Sequence, residues 1–197
     1  MLNIIKSEFF NQNQCNEIIK YAKNKKKFLL NQNYNDIKKT SYYDSNLITT
    51  SCYNRYNFFV DNPKFADMFA HFIKNRVINL SWPIGVQAWV NIYETNQGIS
   101  AHDHSGDFSA NVFLGGEINP GICYIVDDEI ITIQNKIGEI QVFPSNLKHF
   151  VLPNQSQKER YTLGMCIYQF SSLTNFILSG SCINSKFKEI ALLAEPS

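Results

Sequence analysis

The hydrophobic period of this chain changes at Ile84. From there Val86, Ala88, Val90 and Ile92 alternate with Gln87, Trp89, Asn91 and Tyr93, the two-residue period of a strand whose faces meet different surroundings. Further short strands are expected at about 109–114, 122–126, 130–134, 139–143, 149–152 and 161–170. Turn signals separate them: Gly115-Gly116, Asn119-Pro120-Gly121, Asp127-Asp128, Gly138, Pro144-Ser145-Asn146 and Pro153-Asn154. Many short antiparallel strands broken by regular turns point to a β-sandwich or jelly roll.

Ahead of that region the period is helical. A helix is expected from about Asn11 to Asn24, with Cys15, Ile18, Ile19 and Ala22 on one side. A second starts at Pro63, a good first-turn residue, with Phe65, Met68, Phe69, Phe72, Ile73 and Val77 at helical spacing as a core stripe. His71 lies off that stripe and reads as a surface residue. Between the helices, Asn31 to Lys39 reads as a surface loop. The aromatic tract of Tyr42, Tyr43, Tyr53, Tyr56, Phe58 and Phe59 reads as strand and loop. The fold class is therefore an all-β core with helices (α+β), the helices packed on one outer face. One domain is expected over 1–197: a helical support region 1–83, a β core 84–170, and an extension 171–197 with a short helix near Lys186 to Leu193.

Composition removes several function classes. A hydrophobic share of 44% excludes a disordered chain. Lys+Arg 18 against Asp+Glu 17 gives a net charge of +1, so no nucleic-acid partner is expected. The run Lys23 to Lys27 reads as a solvated helix end. The five cysteines are odd in number, scattered and without a CxxC pair, which fits reduced thiols in a cytoplasmic protein better than a disulfide framework or a zinc-thiolate site. No apolar run approaches the ~20 residues of a membrane span, and the N-terminus is too short in apolar length for a signal peptide. The expectation is a cytoplasmic protein without a membrane partner.

The chemistry gathers on histidine. His102 and His104 flank Asp103, and in an extended segment residues i and i+2 share a side, so both imidazoles can converge while Asp103 points away. His149 opens a later strand after the turn at Pro144. Imidazole suits Fe, Zn, Cu and Ni. Further along, Arg160 starts a strand with Thr162 on its face. A guanidinium grips a carboxylate through two parallel hydrogen bonds, and a neighbouring hydroxyl completes the cradle.

The series Trp89-Val90-Asn91, His102-Asp103-His104, Ser109, Phe113-Leu114, Gly138-Glu139, Phe143-Pro144-Ser145, His149, Pro153 and Arg160-Tyr161-Thr162 resembles the iron(II)- and 2-oxoglutarate-dependent oxygenases. Within them it is nearest the prolyl-hydroxylase-like and aspartyl-hydroxylase-like branch, with its small bacterial and phage members. The resemblance covers roughly Trp89 to Phe170 and implies a double-stranded β-helix, a jelly roll with helices buttressing one sheet. It also implies Fe(II), O₂ and 2-oxoglutarate as cofactor and cosubstrates. By position, His102 and His149 match iron ligands, and Arg160 with Thr162 matches the pair holding the distal carboxylate of 2-oxoglutarate. Asn91 and Asn111 lie on strands lining the same pocket and are candidate cosubstrate contacts.

One departure stands out: His104 occupies the position where the family carries a carboxylate. Either His104 ligates, or His102 and His149 hold the metal alone, or Asp107 swings in. The favoured set is His102, His104 and His149, with Asp107 in reserve. The implied reaction is hydroxylation coupled to decarboxylation of 2-oxoglutarate to succinate, with a protein or peptide side chain such as Pro, Asn or Asp as the favoured target. Trp89, Tyr93, Phe113 and Tyr124 are candidate apolar walls, and the Asn31 to Lys39 loop with Tyr42-Tyr43 a candidate lid. The competing readings are a cupin-type metalloprotein on the same fold that does not use 2-oxoglutarate, and a jelly-roll binding protein.

Overall fold

A computed structural model describes residues 4–30, 48–49, 57–76, 80–119, 121–172 and 190–197. The 31–39 loop, Val77, Tyr42, Tyr43, Tyr53 and Tyr56 lie outside the described residues.

The chain runs β1 (Ile5–Glu8), α1 (Gln12–Leu30), β2 (Ile48–Thr49), α2 (Phe58–Asp61), α3 (Pro63–Arg76), β3 (Ile84–Tyr93), β4 (Ile99–His102), β5 (Phe108–Gly116), β6 (Ile122–Val126), β7 (Glu129–Ile133), β8 (Glu139–Pro144), β9 (His149–Val151), β10 (Arg160–Tyr168) and β11 (Ala191–Leu193). A larger sheet takes the order β1-β8-β5-β10-β3-β11, with β2 also paired to β3, and a smaller one the order β4-β9-β6-β7. All the pairings are antiparallel. This is the jelly-roll architecture the alternation implied.

The alternation decides what each face of the large sheet meets. Val86, Ala88, Val90 and Ile92 of β3 join Ala110, Val112, Leu163, Met165, Ile167, Ile140 and Val142 in one cluster with Phe10, Ile18, Phe58, Phe65 and Phe69 from the helical layer. That cluster is the main core, and it presses the helices on the outer face. The other face carries Gln87, Trp89, Asn91 and Tyr93 on β3, Ser109 and Asn111 on β5, Gln141 on β8, and Arg160 and Thr162 on β10. It looks toward the smaller sheet and is polar although largely buried. A polar interior surface is costly unless it is bonded or used.

The local signals are those of stable elements. Asn11 and Gln14 exchange reciprocal side-chain-to-backbone bonds of 3.0 and 2.8 Å at the start of α1, a capping box in geometry. Gly115 and Gly116 take positive φ at the end of β5, where the β5–β10 register shifts between Tyr161 and Thr162. A Cβ on Gly116 would lie 1.8 Å from the Glu159 carbonyl oxygen, so this bulge requires glycine.

Three expectations need correction. Phe58 and Phe59 sit in the short helix α2, capped by Asn57, whose side chain accepts from the Phe59 amide; the cap overrides the β preference of two adjacent aromatics. The segment expected as a helix near Lys186 to Leu193 ends in strand β11, because Ala191 to Leu193 pair with Ile84 to Val86. The basic run is not wholly solvated: α1 continues through it, and Lys26 bonds Glu94 at 2.6 Å and Glu159 at 2.7 Å.

Candidate functional site

The sheet register assembles the three imidazoles. His102 closes β4 and His149 opens β9, and the two are direct partners in that ladder. His104 lies two residues past the strand, and its backbone N–H donates to the Ser145 carbonyl at 2.9 Å, tying it to the turn that delivers His149. One nitrogen from each ring lies within 4.8 Å of those of the other two. Ring centroids are 4.4 Å apart for His102–His149, 4.9 Å for His102–His104 and 5.1 Å for His104–His149. This group could hold a metal ion.

The tautomers suit that use. Nδ1 of His102 lies 2.8 Å from the Ser100 carbonyl, and Nδ1 of His149 lies 3.0 Å from the Leu147 carbonyl. A carbonyl only accepts, so each Nδ1 carries the hydrogen and each Nε2 keeps its lone pair, as in metal-ligating histidines. Burial lowers the pKa of His102, and burial together with the nearby His102 charge holds His149 down to about 4. Both rings are neutral at neutral pH, the form a cation needs.

The remaining candidates fall into two groups. Asp103 is exposed, as its parity requires. Asp107 is not poised to ligate: one carboxylate oxygen accepts from the Gln169 amide and the other from the Ser172 hydroxyl, both at 2.8 Å. It ties the start of β5 to the end of β10. Asn91 and Asn111 both line the interior cavity under the histidines, with Trp89, Tyr93, Ser109, Phe143 and Gly164. Arg160 is buried on the same face, with its Cζ 4.3 Å from the centre of the Tyr93 ring and Nη2 donating to the Leu152 carbonyl at 3.4 Å. Thr162 accepts from Asn91 Nδ2 at 3.2 Å.

No family model and no curated protein matches the sequence. The fold does find matches among solved structures. A prolyl-4-hydroxylase from Pseudomonas putida aligns over 86% of this chain and 94% of its own, with a TM-score of 0.59 and 11% identity. A prolyl hydroxylase from Trichoplax adhaerens, solved with a hypoxia-inducible-factor peptide, aligns over 89% and 87%, at 0.61 and 12%. HygX from Streptomyces hygroscopicus, solved with nickel and 2-oxoglutarate, aligns over 86% and 84%, at 0.60 and 9%. The fold is that of the 2-oxoglutarate- and iron(II)-dependent oxygenases.

Within this oxygenase fold, three features escaped the sequence reading. Asn154 is fully buried, and its side chain donates to the carbonyls of Tyr93 and Lys158 at 3.1 and 2.8 Å and accepts from the Ser156 amide. Its backbone bonds Asn96 and Gln97, so it fastens the turn after β3 to the loop before β10. The only hint was a Pro-Asn turn, which says nothing about what the amide will reach. Tyr124 donates to Gln141 Oε1 at 2.9 Å beneath His149. Tyr93, read as an apolar wall, is the residue that covers Arg160.

Proposed function

We propose that this protein is an Fe(II)- and 2-oxoglutarate-dependent dioxygenase that hydroxylates an organic substrate, with a peptidyl side chain such as Pro, Asn or Asp as the first class to test. The observation that carries the reading is the convergence of three imidazoles, two with Nδ1 fixed by backbone carbonyls, on the interior of an oxygenase fold.

His102, His104 and His149 would hold the metal, which supplies the redox chemistry on O₂. Arg160, a permanent cation made buried by the strand register, would hold the distal carboxylate of 2-oxoglutarate, with Thr162 beside it. Asn91 and Asn111 offer carboxamides to the cavity. Trp89 and Phe143 keep its walls apolar and exclude water. Trp89 packs against Gly164, where a Cβ would be 2.8 Å from the indole, and its ring centre stands 5.7 Å from that of His104.

A second reading has an observation in its favour. Arg160 and Thr162 are not among the residues lining the cavity, and a three-histidine set also suits a cupin-type metalloprotein that does not use 2-oxoglutarate. Adding 2-oxoglutarate to the anaerobic, Fe(II)-loaded protein separates the two. The oxygenase reading expects a weak visible charge-transfer band, and succinate production once air and substrate are admitted. A spectrum unchanged by 2-oxoglutarate, with stoichiometric iron bound, would favour the cupin reading.

A further inference from the structure

The groups suited to recognising a carboxylate are engaged with the protein's own phenol. Arg160 and Tyr93 are direct partners in the β10–β3 ladder. The Tyr93 ring covers the Arg160 guanidinium, and Thr162 accepts from Asn91. Both side chains are buried, Arg160 at 1% exposure and Tyr93 at 2%. Tyr93 and Asn91 line the cavity under the histidines, whereas the Arg160 and Thr162 they cover do not. The cavity measures about 40 Å³, and a diacid entering it meets the Tyr93 ring rather than the guanidinium behind it.

The backbone around Tyr93 does not yield easily. Asn154 holds the Tyr93 carbonyl and bonds Asn96 and Gln97 beyond it, and β3 is laddered to β10 from Gly85 to Tyr93. The freedom left to Tyr93 is rotation of its side chain. A carboxylate outcompetes a ring face for a guanidinium, because charge-assisted paired hydrogen bonds are stronger than a cation–π contact.

We propose that Tyr93 gates the Arg160 seat and so decides which 2-oxo acids the site accepts: a distal carboxylate reaches the guanidinium only once the Tyr93 ring has turned aside. This rests on the reading that Arg160 anchors 2-oxoglutarate. A 2-oxo diacid needs the gate open, whereas a short 2-oxo monoacid binding at the metal does not.

The test is stopped-flow tryptophan fluorescence on the anaerobic, Mn(II)-loaded protein mixed with 2-oxoglutarate or with 2-oxobutyrate. In the wild type, the observed rate should level off with rising 2-oxoglutarate and stay linear with 2-oxobutyrate. Tyr93→Ala should abolish the plateau. For an open state populated at ~0.1–10%, the rate at high 2-oxoglutarate should rise about tenfold or more. Tyr93→Phe keeps the buried ring, and with it the fold and the cover over Arg160; its plateau should match that of the wild type. A linear wild-type rate that Tyr93→Ala does not accelerate would overturn the gate and leave 2-oxoglutarate binding intact. Failure of all three proteins to bind 2-oxoglutarate would overturn the gate together with the anchoring role of Arg160.

Discussion

Single side chains separate the possible ligand sets. With both Asp107 oxygens occupied by Gln169 and Ser172, Asp107→Asn should leave Fe(II) affinity unchanged. His104→Ala should lower it by more than the ~10–100-fold that losing an outer-shell partner typically costs; anaerobic titration of Fe(II) into each variant is the check. Gly164 gives a second residue-scale expectation. Alanine there would meet the Trp89 indole at 2.8 Å, and overpacking a buried site costs about 1–3 kcal/mol. Gly164→Ala should unfold at lower urea and show a shifted tryptophan emission. The meeting of the three histidines was legible because parity and strand spacing constrain them. Asn154 and the cover over Arg160 were not, because which buried amide meets which carbonyl, and which ring meets which cation, depends on loops whose path no periodicity encodes.

At the scale of elements, α1 is fastened where β3 ends and β10 begins. Lys26 bridges Glu94 and Glu159, and the Tyr161 hydroxyl donates to Glu159 as well. Burial works to raise the Glu159 pKa, but the bonds from Lys26 and Tyr161 and the charges of Lys26 and Lys23 outweigh it, and the net shift is downward. A carboxylate depressed in the folded state contributes stability above its unfolded pKa and loses it as pH falls through the folded value. Lys26→Met should therefore lower Tm at pH 7, by an amount worth about 1 kcal/mol or less for so partly exposed a network. The gap from wild type should close below ~pH 4, the ordinary carboxylate range. Thermal melts of both proteins across that range test this. The strands of the β core and helix α3 were readable from period and turns. β1, β4 and β11 were not, since three or four residues are too few to show a period, and they are strands only because a longer neighbour offers them a ladder.

For the molecule as a whole, the pairing of β1 with β8 and of β3 with β10 joins segments far apart in sequence. Loop closure must precede the contacts that reward it, so refolding from denaturant should take ~milliseconds to seconds rather than microseconds, measurable by stopped-flow fluorescence. The sheet order carries a further consequence. β1 covers the outer edge of β8, and β11 covers β3 from Ile84 to Val86. Each is only a few residues long, yet each occupies backbone donors and acceptors that would otherwise be open to any passing strand. A chain trimmed of its first eight residues should migrate as a larger species on a sizing column, because the bared β8 would find its missing neighbour in another molecule. These two short strips of the sheet thus act as selvedges, keeping a self-complementary fabric from being sewn to its own copies.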